Sequence, residues 1–227
     1  MSCEFGEDTR EDKCERDPVT QCVTEGAPTH WSSTCLDYAV QLDGSPRSGL
    51  DADQVQALVA QAFAEWKNAP CPGGGTPNFQ VHFQGFVSCD RRQTVCGPSD
   101  ENVNTILFRD LDWPTDMPSV AGLTVRVGST KSGFGMDADV ALNSTYFNFD
   151  PSVSDGRQSV ELIRVLTHEL GHFLGLAHSD VDGALMSIYY NELPMGASIL
   201  SADDVDAICA IYPPSASPTV CEATSPA

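Results

Sequence analysis

Residues 168 to 178 read HELGHFLGLAH and hold three of the chain's five histidines. His168 and His172 are four apart, so on a helix they project from successive turns of one face, about 6 Å apart along the axis. Two imidazoles so placed converge on one ion at roughly 2.0–2.1 Å. Glu169, beside the first histidine, is placed outside the ligand set, where it holds and deprotonates a water on the metal. Gly175 suits a left-handed helix end at no side-chain cost, and the chain can then bring His178 back to the ion from another direction. Three neutral imidazoles leave a fourth position open, as catalytic zinc requires. A structural zinc site is commonly closed by thiolates, and no cysteine lies in the cluster. HExxH arises by chance in on the order of one in a hundred chains of this length, and the added glycine and third histidine lower that to roughly one in a hundred thousand. His30 and His82, isolated in a loop and on the outer face of a strand, read as structural.

The elements around this cluster follow from periodicity. From Cys35, "CLDYAVQL" alternates, with Leu36, Tyr38, Val40 and Leu42 on one face, which predicts a half-buried strand. "DADQVQALVAQAFAEWKN" places Val55, Leu58, Val59, Ala62, Phe63 and Trp66 at helical spacing, with Asp51 and Gln54 as its N-terminal capping pair and Pro70 beyond its end. Further strands are expected in "NFQVHFQGF", "NTILFRDL", "VAGLTVRV" and "GMDADVALN", the last alternating Met136, Ala138, Val140 and Leu142 against Asp137, Asp139 and Ala141. A helix over roughly 158 to 174 carries the buried stripe Ile163, Leu166, Leu170, Phe173 and Leu174. A last helix starts at Ser201, capped by Asp204, and stops at Pro213–Pro214. This order suggests an α+β or mixed α/β arrangement.

Composition limits the partners. Twelve Lys and Arg against 32 Asp and Glu give a net charge of −20, which repels nucleic acid and anionic membranes. No apolar run approaches the roughly 20 residues of a membrane span. Nine dispersed cysteines without a CxxC pair point to disulfides in an oxidising compartment. A secreted protein needs a signal peptide, the first residues are not one, and its earlier removal is the expectation. Short-range pairing gives Cys22–Cys35, Cys71–Cys89 and Cys209–Cys221. Residues 1–30 read as an acidic, Cys-rich leader or short pro-segment, 31–213 as the main domain that carries the histidine cluster, and 214–227 as a Pro/Ser-rich tail.

The pattern HExxHxxGxxH in "HELGHFLGLAHS" resembles the zinc signature of the metzincin metalloproteases. Met186, in "GALMSIYY", stands where that clan has its Met-turn beneath the zinc. The matrixin branch is the nearer likeness: Ser179 follows the third histidine, Tyr190 stands four residues after Met186 where matrixins line the S1′ pocket, and Ile188 replaces the tyrosine ligand of astacins and serralysins. "ILSADDVDAICAIY" is similar to the matrixin C-terminal helix, with paired aspartates Asp203 and Asp204, the second supporting the Met-turn. The close likeness covers about 158 to 213. Ser187 and Ile188 depart from the usual Tyr-Pro, and no PRCGxPD switch is present.

The resemblance implies an α+β metzincin-like fold: a twisted, mostly parallel sheet with one antiparallel edge strand, two long helices, a zinc cleft and a small C-terminal subdomain ending in a helix. It divides the domain into an upper part to about 175 and a lower part, 176–213, and puts "MDADVALN" at the edge strand above the cleft. It implies a secreted, monomeric endopeptidase with one catalytic Zn2+, an extended protein or peptide substrate against 134–143, and Glu169 as general base and acid. Gly175, Ser179 and Asp204 become structural supports. Calcium at 137–143 or 148–155 stays open; a second zinc is not expected. Two alternatives stand beside this reading: a latent form with the leader over the zinc, and a non-catalytic zinc-containing binding module.

Overall fold

The computed structural model describes residues 18, 29–88, 103–129, 132–149, 156–188, 200–217 and 220–221. One sheet dominates: β1 (His30–Trp31), β2 (Cys35–Gln41), β3 (Gln80–Val87), β4 (Thr105–Phe108), β5 (Gly122–Gly128) and β6 (Phe134–Leu142). Its order is β1-β6-β4-β2-β3, with β5 paired to the remaining side of β6. Every pairing in it is parallel except β5 with β6, so the expected mostly parallel sheet with one antiparallel edge strand is present. Two short strands, β7 (Phe147–Asn148) and β8 (Gln158–Ser159), pair beside it. Among the described residues, three α-helices complete the order: α1 (Ala52–Lys67), α2 (Leu162–Leu174) and α3 (Ala202–Ile211).

The edge strand above the cleft is β5, not 134–143. β6 has β4 and β1 on one side and β5 on the other, which leaves it no free edge. Its apolar alternation was legible, but alternation reports faces, and which strand lies outermost is a matter of pairing.

Burial on both faces changes two further expectations. In β2, Ala39 and Gln41 are as buried as Leu36, Tyr38 and Val40, while Leu42 is exposed. β2 lies between two parallel neighbours, and parallel sheets are covered on both sides. One face carries α1 and α2 and the main core; on the other, Trp113 packs on Leu107 and Ala141. Met136, near the start of β6, is exposed rather than part of the buried face.

Helix α1 has the expected capping box: Gln54 N donates to Asp51 Oδ1 at 2.8 Å, and Asp51 N to Gln54 Oε1 at 3.0 Å. In α3 the reciprocal pair is Ser201 and Asp204. α2 begins at Leu162 rather than 158, because Gln158 and Ser159 are taken into β8. Its side chains are buried nearly all round, Arg164, Thr167 and Glu169 included, whereas Ile163 is only partly covered. A stripe undercounts the buried surface of a helix packed between a sheet and a second helix.

Among the described residues the disulfides are Cys35–Cys221 and Cys71–Cys209, each with Cα atoms 5.7 Å apart. They overturn Cys22–Cys35, Cys71–Cys89 and Cys209–Cys221. Nearness in sequence is a poor guide because β2 and the tail, and the end of α1 and α3, meet only after folding. Cys3, Cys14, Cys22, Cys89 and Cys96 lie outside the described residues. His30 is in β1 rather than a loop, stacked edge-on to Phe134, and His82 lies 3.9 Å from Asp37.

Candidate metal centre

The site is assembled on the C-terminal half of α2. His168 and His172 face the same side, and both are buried. Gly175 closes the helix with φ 112°, its N–H bonded to the carbonyl of His172 at 2.9 Å, and Leu176 N reaches Gly171 O at 2.9 Å. A Cβ at 175 would also stand 2.5 Å from the Thr29 carbonyl, so glycine is required there by conformation and by space. The turn brings His178 back: its Nε2 lies 3.1 Å from His172 Nε2. One ligand atom from each of His168, His172 and His178 falls within 4.8 Å of the others.

The outer nitrogens of the two helical histidines are committed. His168 Nδ1 lies 2.7 Å from Leu185 O, and His172 Nδ1 lies 2.9 Å from Leu176 O. A carbonyl only accepts, so each Nδ1 carries the proton and each Nε2 keeps its lone pair for the centre. Burial and the neighbouring imidazoles push His168 down to about 3 and His172 well below its ordinary value, so both are neutral ligands at neutral pH. Two ligand nitrogens on a tetrahedral zinc stand about 3.3 Å apart, close to the 3.1 Å between His172 and His178. The donor set fits zinc: all nitrogen, three members, one side open.

Helix α2 is held by long-range bonds to its backbone. Trp66 Nε1 donates to Thr167 O at 2.8 Å, just before His168. Trp31 Nε1 reaches Phe173 O and Tyr212 Oη reaches Leu174 O, both at 2.7 Å. The last two satisfy carbonyls that a helix end leaves without partners.

Below the histidines, Met186 is buried and its sulfur fills the space beside Gly171. Asp204, fully buried, accepts from Leu185 N at 2.8 Å and from Met186 N at 3.0 Å. The peptide fixed in this way presents the carbonyl that orients His168. Ser179 N bonds Met186 O at 2.8 Å, and Ser179 Oγ donates to Asp203 Oδ2 at 2.6 Å. Tyr190 lies outside the described residues, as do 150–155 of the second calcium stretch.

The open side of the three histidines faces a cleft of about 280 Å³ between α2 and β5, with Val120, Leu123 and Ile188 among its apolar walls and Glu169 in its lining. Glu169 is 3 % exposed, and burial lifts its carboxyl to about 7 against the hydrogen bond from Thr124. That bond runs from Thr124 Oγ1 to Glu169 Oε2 at 2.7 Å. Thr124 and Gly122 went unnoticed in the sequence. They are 45 and more residues from Glu169, and only the β5–β6 pairing brings them over it.

Two histidines on one helix face, a third returned to them by a left-handed glycine turn, and a buried carboxyl in the cleft lining define a metallopeptidase-type centre. The matrixin profile matches residues 98–213, and the chain belongs to the matrixin family of peptidases. Interstitial collagenase of Bos taurus is 30% identical over 212 residues, 92% of this chain and 38% of that protein. Interstitial collagenase of Sus scrofa is 29% identical over 211 residues, again 92% and 38%. Neutrophil collagenase of Homo sapiens is 35% identical over 200 residues, 86% and 36%. The chain thus spans well under half the length of these relatives.

Proposed function

We propose that this chain is a secreted, zinc-dependent endopeptidase. The observation that carries the reading is the convergence of His168, His172 and His178 on the floor of a cleft whose lining includes Glu169. His168, His172 and His178 would hold one zinc ion, which when bound supplies Lewis acidity and acidifies water. The cleft is lined by Gly122, Leu123 and Thr124 of β5, and β5 is paired on one side only among the described strands. A substrate main chain would add to β5, not to 134–143, giving affinity through backbone hydrogen bonds.

Glu169 takes a proton from the attacking water and delivers it to the leaving amine. Burial raises the Glu169 carboxyl above its ordinary range, the direction that favours accepting a proton and passing it on. Asp204, Ser179 and Gly175 support the centre: the first two fix the Met-turn and the strand-like stretch after His178, and the third ends α2 so that His178 can return. Met186 forms the base beneath the histidines, and Tyr190 is assigned to the S1′ pocket on the family likeness. Two disulfides support an oxidising compartment.

The test is metal analysis of the purified chain combined with cleavage of a peptide library with and without a chelator. One zinc per chain and chelator-sensitive cleavage are expected. Glu169→Ala should keep the zinc and lose nearly all cleavage; near-parental activity in that variant rejects the general-base role.

A further inference from the structure

The HExxH motif contains Glu169 but says nothing of what aims its carboxylate, and the roof above it is built by β5. Two residues on the same face of that strand define a slot. At Gly122 a Cβ would stand 2.6 Å from both Cγ and Oε1 of Glu169, so the carboxylate lies against bare backbone there. At Thr124 the hydroxyl meets the other oxygen, with Oγ1 2.7 Å from Oε2 and 3.0 Å from the main-chain carbonyl of Glu169. Thr124 is 5 % exposed and Glu169 3 %, so water does not substitute freely for either partner.

We propose that Thr124 is a positioning residue for peptide hydrolysis: its hydroxyl holds Oε2 of Glu169 and leaves Oε1 as the oxygen that exchanges protons with water and the leaving amine. The inference rests on the reading of Glu169 as general base. The terminal torsion of a glutamate is broad, so a carboxylate without this bond can swing its plane within the slot. A β-branched side chain on a strand has restricted χ1 rotation, which makes threonine a stiff anchor.

The proton account closes. Thr124 has one proton and never transfers it. While Glu169 is ionised that proton lies on the hydrogen bond to Oε2, which is charge-assisted. Once Oε1 has taken a proton from water, the threonine hydroxyl can turn to the main-chain carbonyl of Glu169 with no backbone movement. The proton on Oε1 then leaves with the amine nitrogen, and Thr124 returns to Oε2.

The experiment uses the full zinc-loaded chain and a peptide cleaved in a chelator-sensitive manner. Thr124→Val keeps the shape and removes the hydroxyl. It should lose about tenfold in kcat, the scale of one hydrogen bond to a charged group, with KM within about twofold and zinc content unchanged. Thr124→Ser should recover to within about threefold of the parent. Parental kcat in Thr124→Val, or a loss in Thr124→Ser as large as in Thr124→Val, overturns the proposal. Should Thr124→Val not fold, Thr124→Ala carries the same expectation and the same overturning result. In a Glu169→Gln background, Thr124→Val should leave the residual rate unchanged, because no base remains to be aimed; a further loss of about tenfold there marks a structural role and overturns the proposal. Near-parental activity in Glu169→Gln itself removes the general-base reading and this inference with it. An inactive Glu169→Gln beside a fully active Thr124→Val removes this inference alone.

Discussion

The sulfur of Met186 occupies the space that a side chain on Gly171 would need: a Cβ built at 171 would stand 2.4 Å from Sδ and 2.9 Å from Cζ2 of Trp66. The glycine in the middle of HELGH is therefore a packing requirement, set by the Met-turn below α2 and by α1 beside it.

Gly171→Ala tests that relationship. In an exposed helix alanine gains up to about 1 kcal/mol over glycine. Here two contacts fall under 3.0 Å, and overpacking of a core costs about 1–3 kcal/mol. The expected result of denaturant unfolding is a net loss of stability together with weaker zinc retention. A stabilised variant with unchanged zinc affinity would show that Met186 can move aside without consequence.

Asp204 gathers four donors on its carboxylate. It accepts from Leu185 N, Met186 N, Ser201 N and Ser201 Oγ. Asp204→Ala leaves several buried donors without acceptors, at about 1–3 kcal/mol each, so a loss of about 3–5 kcal/mol is expected, with reduced zinc affinity because Leu185 O no longer holds His168. Asp203→Ala removes the acceptor for Ser179 Oγ, a smaller loss. Equal effects of the two substitutions in parallel unfolding and zinc titrations would contradict this ranking.

Disulfide mapping of a non-reduced digest should return Cys35–Cys221 and Cys71–Cys209 as linked peptides. Cys71–Cys209 closes a loop across 138 residues and anchors the helix that carries Asp204. Its replacement by Cys71→Ser and Cys209→Ser should lower stability by about 2–5 kcal/mol and weaken zinc binding in the same preparation. Unchanged zinc affinity would uncouple α3 from the centre.

Asp139 links stability to pH. It is 1 % exposed and accepts from Thr105 N at 2.8 Å; burial, reinforced by Asp137, lifts its carboxyl from 3.8 to about 7. Between those values the folded protein holds a proton that the unfolded chain has lost, so this group's contribution to stability falls as pH rises and levels off above about 7. Asp139→Asn keeps an acceptor for Thr105 N and removes the titration. Its stability relative to the parent should rise across that window and stay constant above it, measured in the presence of a chelator. A difference independent of pH would reject the assignment.

How much of this was legible in the sequence varies with range. The caps at Asp51 and Ser201, the body of α1 and the end of α2 at Gly175 depend on neighbours three or four residues away, and they were read in full. The five longer strands were legible as strands, whereas the two-residue β1, β7 and β8 were not, and the order escaped as well: the edge strand above the cleft was placed on 134–143 and is β5, because pairing joins segments whose sequences do not reveal which partner each will take. The disulfides were misplaced for the same reason. Cys71 meets Cys209, not Cys89, once α3 folds back on the end of α1.

By itself the sequence determined the chemistry of the centre. Spacing of four places His168 and His172 on one helix face, and Gly175 permits the turn that returns His178, since local geometry follows from local residue types. Only the tertiary structure decided what surrounds that chemistry. Thr124 and Gly122 lie over Glu169, Asp204 fixes the peptide that orients His168, and Trp66 holds the carbonyl before it. Each is a contact across 17 to 101 residues, and contacts at such separation are set by the packing of whole elements, which no short stretch of sequence encodes.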